Sequence, residues 1–399
     1  MPDRTILHCD MNGFFASVEL LDRPDLADKP MAVCGNPDNR HGIILAKNEL
    51  AKKYGIVTAE TLWSAKKKCR ELQTVRPHHD KYAYYSSLIN KIYQRYTDMV
   101  EPFSIDESWL DVTGSRMLFG GGARIADEIR RTVSDELKLT LSVGVSYNKI
   151  LSKMGSEHKK PDATIVITRE NFKEILWPKP ASELFFVGES TAEALGRIGI
   201  LTIGDLACAN PDALTSLLGK HGLLIHDYAN GIDDSPVLRS LERQKIKSVG
   251  NSITFNRDLK SAAEVKTALI SLSDTVAVRL RKYGMKACGI KIDIKDPEFK
   301  TISRQKQLEA ATDLVEEISR ISFDIVKENW NFKDPIRLLT VTGINLIIGE
   351  PEEQMSIFAP FDDRREKAKK IESAMDSIRE KYGNSAISFG SIINNDFLK

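Results

Sequence analysis

Three acidic residues in two short segments constrain this chain more than any other feature. Asp10 ends the apolar run at residues 5–10, and Asp106 and Glu107 lie in the turn of a hairpin predicted at 100–113. Each pattern is typical of a buried strand that carries carboxylates at its end. Hard divalent cations prefer oxygen ligands, and two of them can stabilise both oxygens of a phosphoryl displacement. The pattern predicts such a metal site, with solvated turn residues as the ordinary alternative for Asp106 and Glu107.

The order of predicted elements in the first part of the chain indicates an α+β fold. Apolar periodicity predicts strands at 5–10, 31–33, 43–45, 74–76, 100–105, 109–113 and 139–145. It predicts helices at 48–54, 62–70, 82–99, 122–137 and 148–157. This order matches a split βαβ, ferredoxin-like sheet with helices on one face and a basic insertion at 24–76. In such a sheet, Asp10 and the hairpin turn can lie on neighbouring central strands.

The rest of the sequence predicts two further domains. Residues 184–206 look like a helix-hairpin-helix with glycine turns, whose free backbone N–H groups can hold a DNA phosphate. A plain packing turn is the alternative. Residues 233–236 are typical of a linker. Beyond it, strands at 252–255, 288–294 and 338–346 and helices at 263–283 and 308–327 predict a second, smaller α+β domain.

The charge of the chain is segregated although its net value is only +1. Residues 40–70 hold eight Lys or Arg against two Glu, and residues 236–304 hold fifteen against seven acids. Two basic blocks in a neutral chain indicate two surfaces that meet polyanions, although either could be a solvated helix face. A length of 399 residues is too great for one ordinary core and predicts two to four domains.

The cysteines and the apolar runs bear on where the protein works. Five scattered cysteines without C-x-x-C spacing are typical of reduced thiols and argue against zinc or a disulfide framework. No signal peptide and no apolar run long enough to span a membrane is evident in the sequence. We therefore expect a cytoplasmic protein without a membrane partner.

Several motifs follow one another in an order known from one family. They are DMNGFFASVE at 10–19, SIDES at 104–108, SVGVSYNK at 142–149 and KKPD at 159–162. The helix-hairpin-helix and the basic terminal domain follow. With these motifs, nearly the whole chain resembles the Y-family, or translesion, DNA polymerases, and within them the bacterial DNA polymerase IV branch.

The resemblance implies a multidomain right-hand polymerase. Its parts would be a ferredoxin-like palm at 1–23 and 77–166, small fingers at 24–76, a helix-hairpin-helix thumb at 167–235, a little finger at 236–348 and a tail at 349–399. It also implies an error-prone, template-directed polymerase without proofreading, which adds dNTPs to a primer 3′-hydroxyl by two-metal phosphoryl transfer in translesion synthesis. The cofactors would be two Mg²⁺ ions, with Mn²⁺ able to substitute. The partners would be primer-template DNA and dNTPs, with the protein as a monomer.

Carried over by position, the resemblance implies the residues of the catalytic centre. Asp10, Asp106 and Glu107 would be the metal ligands, together with the backbone carbonyl of Met11. Phe15 would be the steric gate that excludes a 2′-hydroxyl, and an ordinary core aromatic is the alternative reading of that position.

Two lysines would contact the triphosphate, namely Lys52 and Lys160. Lys52 stands where the family usually has arginine, and it lacks the bidentate guanidinium fork. Glu49 stands where the family usually has tyrosine, and we expect it to point away or to pair with a lysine.

The resemblance also assigns contacts outside the catalytic centre. The expected DNA contacts are Gly188, Gly199, Lys245, Lys247, Arg257 and Lys291. Gln354, Ile357 and Phe358 resemble the peptide that binds the bacterial sliding clamp, a peptide that has a glutamine followed by apolar residues. The segment is expected to be exposed and extended, and two large apolar side chains in such a segment need a partner. The alternative is that Ile357 and Phe358 dock on the apolar stripe of the final helix.

Two other functions stay open at this point. A nucleotidyl cyclase uses a similar palm, but it would not need a helix-hairpin-helix or two basic blocks. A non-catalytic DNA-binding accessory protein would be expected to lose at least one of Asp10, Asp106 and Glu107, and all three are present.

Overall fold

A computed structural model describes residues 4–35, 42–239, 246–349, 363–393 and 395–398. These residues form two compact units, which divide between residues 239 and 246. Among the described residues, no helix combines the length and the apolar composition that crossing a bilayer requires.

The first unit contains two sheets and twelve α-helices among its described residues. Its strands are Ile6–Met11 (β1), Met31–Cys34 (β2), Ile44–Lys47 (β3), Gln73–Val75 (β4), Val100–Pro102 (β5), Glu107–Asp111 (β6), Leu141–Ser146 (β7) and Thr164–Val166 (β8). Its first seven helices are Phe14–Asp22 (α1), Glu49–Lys53 (α2), Leu62–Lys68 (α3), His79–Tyr93 (α4), Arg116–Phe119 (α5), Gly122–Leu137 (α6) and Lys149–His158 (α7). The last five are Phe172–Leu176 (α8), Glu189–Arg197 (α9), Ile203–Cys208 (α10), Pro211–Leu218 (α11) and Lys220–Ala229 (α12).

The larger sheet has the strand order β5-β6-β1-β7-β8. Strand β1 pairs antiparallel with β6 on one side and with β7 on the other. The first four strands thus follow the ferredoxin-like order, and β8 adds a parallel edge strand next to β7. The predicted sheet is confirmed, and β1 and β7 are its fully buried central strands.

Helices cover both faces of this sheet, so the expectation of helices on one face was wrong. Leu7, Cys9 and Met11 of β1 belong to the core shared with α4 and α6. His8 and Asp10 alternate to the opposite face, where His8 contacts Ser156 of α7. The approach of α7 depends on Gly144 of β7, because a Cβ there would overlap the carbonyl oxygen of Ser152.

The smaller sheet of the first unit has the order β3-β2-β4. It packs with α2 and α3 around a core of its own, and this part corresponds to the basic insertion. Helices α8 to α12 pack around another core, to which α7 contributes Ile150, Leu151 and Met154. Helix α4 ends at Tyr93, whereas apolar periodicity predicted it to continue to residue 99.

The second unit is a four-stranded antiparallel sheet with three α-helices among its described residues. Its elements are the strands Ser248–Leu259 (β9), Met285–Lys295 (β10), Thr301–Thr312 (β11) and Ile336–Ile348 (β12), and the helices Ala262–Lys282 (α13), Val315–Asn329 (α14) and Asp363–Tyr382 (α15). The strand order is β11-β10-β12-β9. The predicted helix at 308–327 was wrong over its first residues, because these belong to β11 and pair with β10.

The final helix α15 is bound to the second unit by buried ion pairs. Arg281 contacts Glu372 and Asp376, and Arg379 contacts Asp274 at 2.8 Å. Beyond the helix, the side chain of Phe397 enters the core of the same unit. Helix α15 and Phe397 are therefore part of the folded second unit.

Candidate active site

Asp10 and Glu107 face each other on neighbouring strands. They are direct partners in the antiparallel pairing of β1 with β6. The pairing extends into the turn, because the backbone N–H of Met11 donates to the carbonyl oxygen of Asp106 at 3.1 Å. The expectation that Asp10 and the hairpin turn lie on adjacent central strands is confirmed.

A third carboxylate completes the cluster, and it comes from α7. One oxygen each from Asp10, Glu107 and Glu157 lie within 4.8 Å of one another. Asp106 is outside this group of three. Sequence reasoning did not single out Glu157, although its place in the last turn of α7, three residues before Lys160, was the available signal.

The ammonium group of Lys160 lies between two of these carboxylates. Its Nζ is 2.7 Å from Asp10 Oδ2 and 3.0 Å from Glu157 Oε1. Asp10 is only 3% exposed. Burial raises the pKa of Asp10 to about 7, against the opposing charge of Lys160, and the neighbouring Glu157 and Glu107 add to the rise. The cluster is thus an electronegative site that a cation stabilises.

Glu107 is held as a carboxylate by groups on its other side. Lys153 Nζ lies 2.6 Å from Glu107 Oε2, and His8 Nε2 lies 3.3 Å from the same oxygen. Burial alone would raise the pKa of Glu107, but the contacts from His8 and Lys153 outweigh it and lower the pKa to about 2. Burial lowers the pKa of His8 to about 4, so this imidazole is neutral near pH 7. Lys153 therefore supplies the positive charge.

Asp106 has a separate environment in the hairpin turn. The hydroxyl of Ser104 donates to Asp106 Oδ1 at 2.6 Å. Burial raises the pKa of Asp106, although the bond from Ser104 acts in the opposite direction. Asp106 therefore lies beside the cluster. Its position is set by the hairpin turn, where it is hydrogen-bonded to Ser104, and by the backbone hydrogen bond with Met11.

The ring of Phe15 is supported from behind by a tyrosine. The rings of Phe15 and Tyr82 are stacked, with centroids 4.0 Å apart and an interplanar angle of 12°. The hydroxyl of Tyr82 donates to the buried Glu19 at 2.5 Å. Phe15 is half-buried, so one part of the ring packs in the core and another part stays accessible.

Helix α2 carries the other lysine expected at the triphosphate. Lys52 is exposed, and its Nζ lies 3.8 Å from Glu49 Oε1. Of the two alternatives for Glu49, the structure thus shows the pairing with a lysine. The pKa of Lys47 is lowered, chiefly because its side chain is partly buried and also because the positive charge of Lys52 is nearby.

The two glycines of the helix-hairpin-helix stand at helix boundaries. Gly188 is the residue before α9 and has extended backbone geometry. Gly199 follows α9 with φ 79°, in the left-handed region that glycine adopts without strain. The second helix, α10, begins with a reciprocal capping box between Thr202 and Asp205.

The residues expected to contact DNA in the second unit differ in whether they form ion pairs within the protein. Lys247 is exposed, and Lys291 on the open face of β10 lies 3.4 Å from Asp293 Oδ1. Arg257 is bound by Glu264 and Asp396, each at 2.7 Å. Those contacts raise the pKa of Arg257. Lys245 and the clamp-like residues Gln354, Ile357 and Phe358 lie outside the described residues.

Comparison with known proteins gives full-length relatives. Residues 9–157 match the impB/mucB/samB family, and residues 246–381 match the C-terminal domain of that family. The chain is 44% identical to DNA polymerase IV of Acetivibrio thermocellus, over 98% of each chain. It is 39% identical to DNA polymerase IV of Clostridium kluyveri, over 98% of each, and 36% identical to DNA polymerase IV 1 of Bacillus subtilis, over 98% of this chain and 94% of that one.

The fold has a counterpart among solved structures. A Y-family DNA polymerase chimera matches with a TM-score of 0.78 and 23% identity, over 86% of this chain and 100% of the chimera. The fold is that of a Y-family DNA polymerase, and the relatives over nearly the whole chain are DNA polymerases of one kind. The chain belongs to the impB/mucB/samB family, in the branch of its DNA polymerase IV relatives. It is thus a translesion DNA polymerase, and the likeness over the full length sets aside the cyclase and the non-catalytic protein.

Proposed function

We propose that this chain adds deoxynucleotides to a primer 3′-hydroxyl, as a template strand directs, at a two-metal site held by Asp10, Asp106 and Glu107. The observation that carries the proposal is the register of Asp10 with Glu107 on neighbouring central strands. That register gathers carboxylates from two strands at one point of the sheet. The remaining ligand would be the backbone carbonyl of Met11, at the end of β1.

The donor set fits hard divalent cations. The atoms that converge are carboxylate oxygens, which Mg²⁺ prefers, with Mn²⁺ as a substitute of similar preference. The raised pKa of Asp10 reflects buried negative charge, which a cation would relieve. Bound there, two metal ions would activate the primer hydroxyl and stabilise the charge of the departing pyrophosphate.

The residues of the chain have separate tasks in this proposal. Lys153 and His8 hold Glu107 in its ionised form and in one position. Lys160 would exchange its ion pairs with Asp10 and Glu157 for contacts with the phosphates of the incoming nucleotide, because the phosphates carry more negative charge. Lys52 would meet the same phosphates from α2. Phe15 would lie under the sugar, with Tyr82 behind its ring.

The two units would divide the work of holding DNA. Residues 1–23 and 77–166 would be the palm, 24–76 the fingers, 167–235 the thumb, 236–348 the little finger and 349–399 the tail. Gly188 and Gly199 would present backbone N–H groups to a phosphate, and Lys245, Lys247, Arg257 and Lys291 would face the duplex. Arg257 would have to leave Glu264 and Asp396 to do so. The protein would act as a cytoplasmic monomer.

A primer-extension assay tests the proposal directly. A labelled primer on a defined template should be extended with dNTPs and Mg²⁺, and extension should stop when EDTA removes the metal. Extension that is unaffected by EDTA would contradict the metal site, and extension independent of template sequence would contradict template direction.

The segment with Gln354, Ile357 and Phe358 would bind the sliding clamp. The double change Ile357→Ala and Phe358→Ala should remove stimulation by the clamp and leave synthesis without the clamp unchanged. A double variant that melts at lower temperature but still responds to the clamp would mean that these side chains belong to the core of the second unit.

A further inference from the structure

We infer that α3 carries a stacking site for an unpaired base of the single-stranded template, centred on Trp63. Trp63 is 69% exposed, which is unusual for the largest apolar side chain. It lies in the first turn of a helix within the basic insertion. The inference rests on the proposed binding of primer-template DNA and adds a contact to it.

The position of Trp63 on α3 leaves its ring outside the core. Leu62 and Ala65 form the buried face of the helix and anchor it in the core of this sheet. Thr61 begins the helix by accepting the N–H of Ser64 at 3.2 Å. The helix is therefore held without Trp63, whose side chain has no part in that core.

A lysine holds the ring from one side. Lys67 is one helical turn further on, and its Nζ lies 3.5 Å from the centroid of the Trp63 ring. This cation–π contact orients the ring and places a positive charge beside it. With most of the side chain still exposed, the ring keeps a surface on which a flat partner can stack.

The charge around Trp63 selects a polyanion as the partner. Lys66, Lys67, Lys68 and Arg70 are exposed within one stretch of eight residues that begins at Trp63, and Lys68 pairs with Glu60. Aromatic side chains within a positively charged surface are the arrangement that binds single-stranded nucleic acid. Inside a duplex both faces of each base pair are covered by its neighbours, so the ligand is a strand whose bases are unpaired.

Strand β3 lies between this surface and the end of β1. Ala59 N donates to Ile44 O, and Leu62 N donates to Gly42 O, both at 2.8 Å, which ties the start of α3 to the start of β3. At the other end of β3, a Cβ added at Gly13 would lie 3.1 Å from Lys47 O, just beyond Asp10. β3 spans about 13 Å at 3.3 Å per residue. The stacking surface and the carboxylate cluster thus belong to the same unit and are linked through β3.

Binding measurements without catalysis test the inference. The full chain, with EDTA and no dNTP, is titrated against a primer-template with a 5′ overhang of about eight nucleotides, a length typical of single-strand sites. Trp63→Ala should bind it about tenfold more weakly, the loss of about one stacked base. Trp63→Phe should retain most of the affinity, and the exposed Tyr84 of α4, 59% exposed, supplies the control Tyr84→Ala.

Two further substrates separate stacking from other effects. A blunt duplex should bind the parent and Trp63→Ala equally, and an overhang of abasic residues should bind the parent as weakly as the normal overhang binds Trp63→Ala. Equal loss on blunt and overhanging DNA, or no loss on either, would overturn the inference. If the parent binds no primer-template at all, the proposed function fails instead.

Discussion

The aromatic rings of Phe15 and Tyr82 are stacked at 4.0 Å, and the hydroxyl of Tyr82 is bound to the buried Glu19. Glu19 also contacts His78 Nδ1 at 2.9 Å. Phe15 therefore has a fixed orientation, because it stacks on Tyr82 and the hydroxyl of Tyr82 is hydrogen-bonded to Glu19 of α1. A rigid ring can discriminate between sugars, since a mobile one would yield to an extra hydroxyl.

Replacing Phe15 with Ala should admit ribonucleotides by opening space beside the sugar. The ratio of kcat/KM for rNTP over dNTP should rise, by about tenfold or more if one steric contact worth 1–3 kcal/mol is lost. Tyr82→Phe keeps the stacked ring but removes the bond to Glu19, so it should raise the ratio by a smaller factor than Phe15→Ala does. An unchanged ratio in Phe15→Ala would return this residue to the ordinary core.

Replacing Asp106 with Ala should abolish nucleotide addition while primer-template binding stays close to that of the parent. A metal ligand stabilises charge in the transition state by several kcal/mol, so the rate should fall at least about 100-fold. Glu157→Gln should cost less, since Glu157 pairs with Lys160 and is not one of the three proposed metal ligands. Single-turnover rates and DNA affinity are measured together, and an Asp106→Ala rate near that of the parent would remove Asp106 from the site.

The raised pKa of Asp10 predicts that the metal-free protein loses stability as the pH rises. A carboxyl group whose pKa is higher in the folded state stabilises the fold below its unfolded pKa near 4, and this contribution is lost as the pH rises through about 7. Asp10→Asn removes the titration. In EDTA at pH 8 this variant should be more stable than the parent, by on the order of 2 kcal/mol.

Melting curves from pH 4 to pH 8, with EDTA and with Mg²⁺, measure this difference. Added Mg²⁺ should raise the melting temperature of the parent more than that of Asp10→Asn, because the ligand binds the folded state. A parent that gains stability relative to Asp10→Asn between pH 4 and pH 7 in EDTA would contradict the shift.

Replacing Gly144 with Ala should destabilise the first unit. The added Cβ would overlap the backbone of α7 at Ser152, and overpacking against backbone costs typically 1–3 kcal/mol. Because α7 carries Lys153 and Glu157, its displacement should also lower the polymerase rate. Gly121→Ala is the matched control, as a Cβ there meets no atom within 4 Å. Equal urea midpoints for the two variants would show that α7 can move away from the added Cβ without a loss of stability.

Changing Lys247 and Lys291 to Gln together should weaken DNA binding at every sequence and flatten its salt dependence. Each neutralised duplex phosphate contributes about 0.9 to the slope of log K against log salt, so two lost contacts should lower it by about 1.8. Lys282→Gln, at the end of α13 on the helical side of the sheet, is the control. If the double variant keeps the slope of the parent, these lysines face only solvent.

Much of the local structure could be predicted from the sequence because it depends on neighbouring residues. The helix at 122–137 was predicted with the bounds that α6 has, since its apolar spacing and flanking glycines are local signals. The final helix, the strand before Asp10 and the hairpin with Asp106 and Glu107 were likewise predicted from periodicity and turns.

The pairing of distant segments was decided only by the tertiary structure. Residues 308–312 are strand because β11 pairs with β10, and α4 ends early because Val100 must pair with Leu110. Glu157 lies near Asp10 because Gly144 has no side chain and α7 can therefore pack closely on that face of the sheet. The sequence pattern did not predict a helix on that face. Periodicity determines which side of an element is apolar, whereas the partner of that side depends on contacts between residues far apart in the chain.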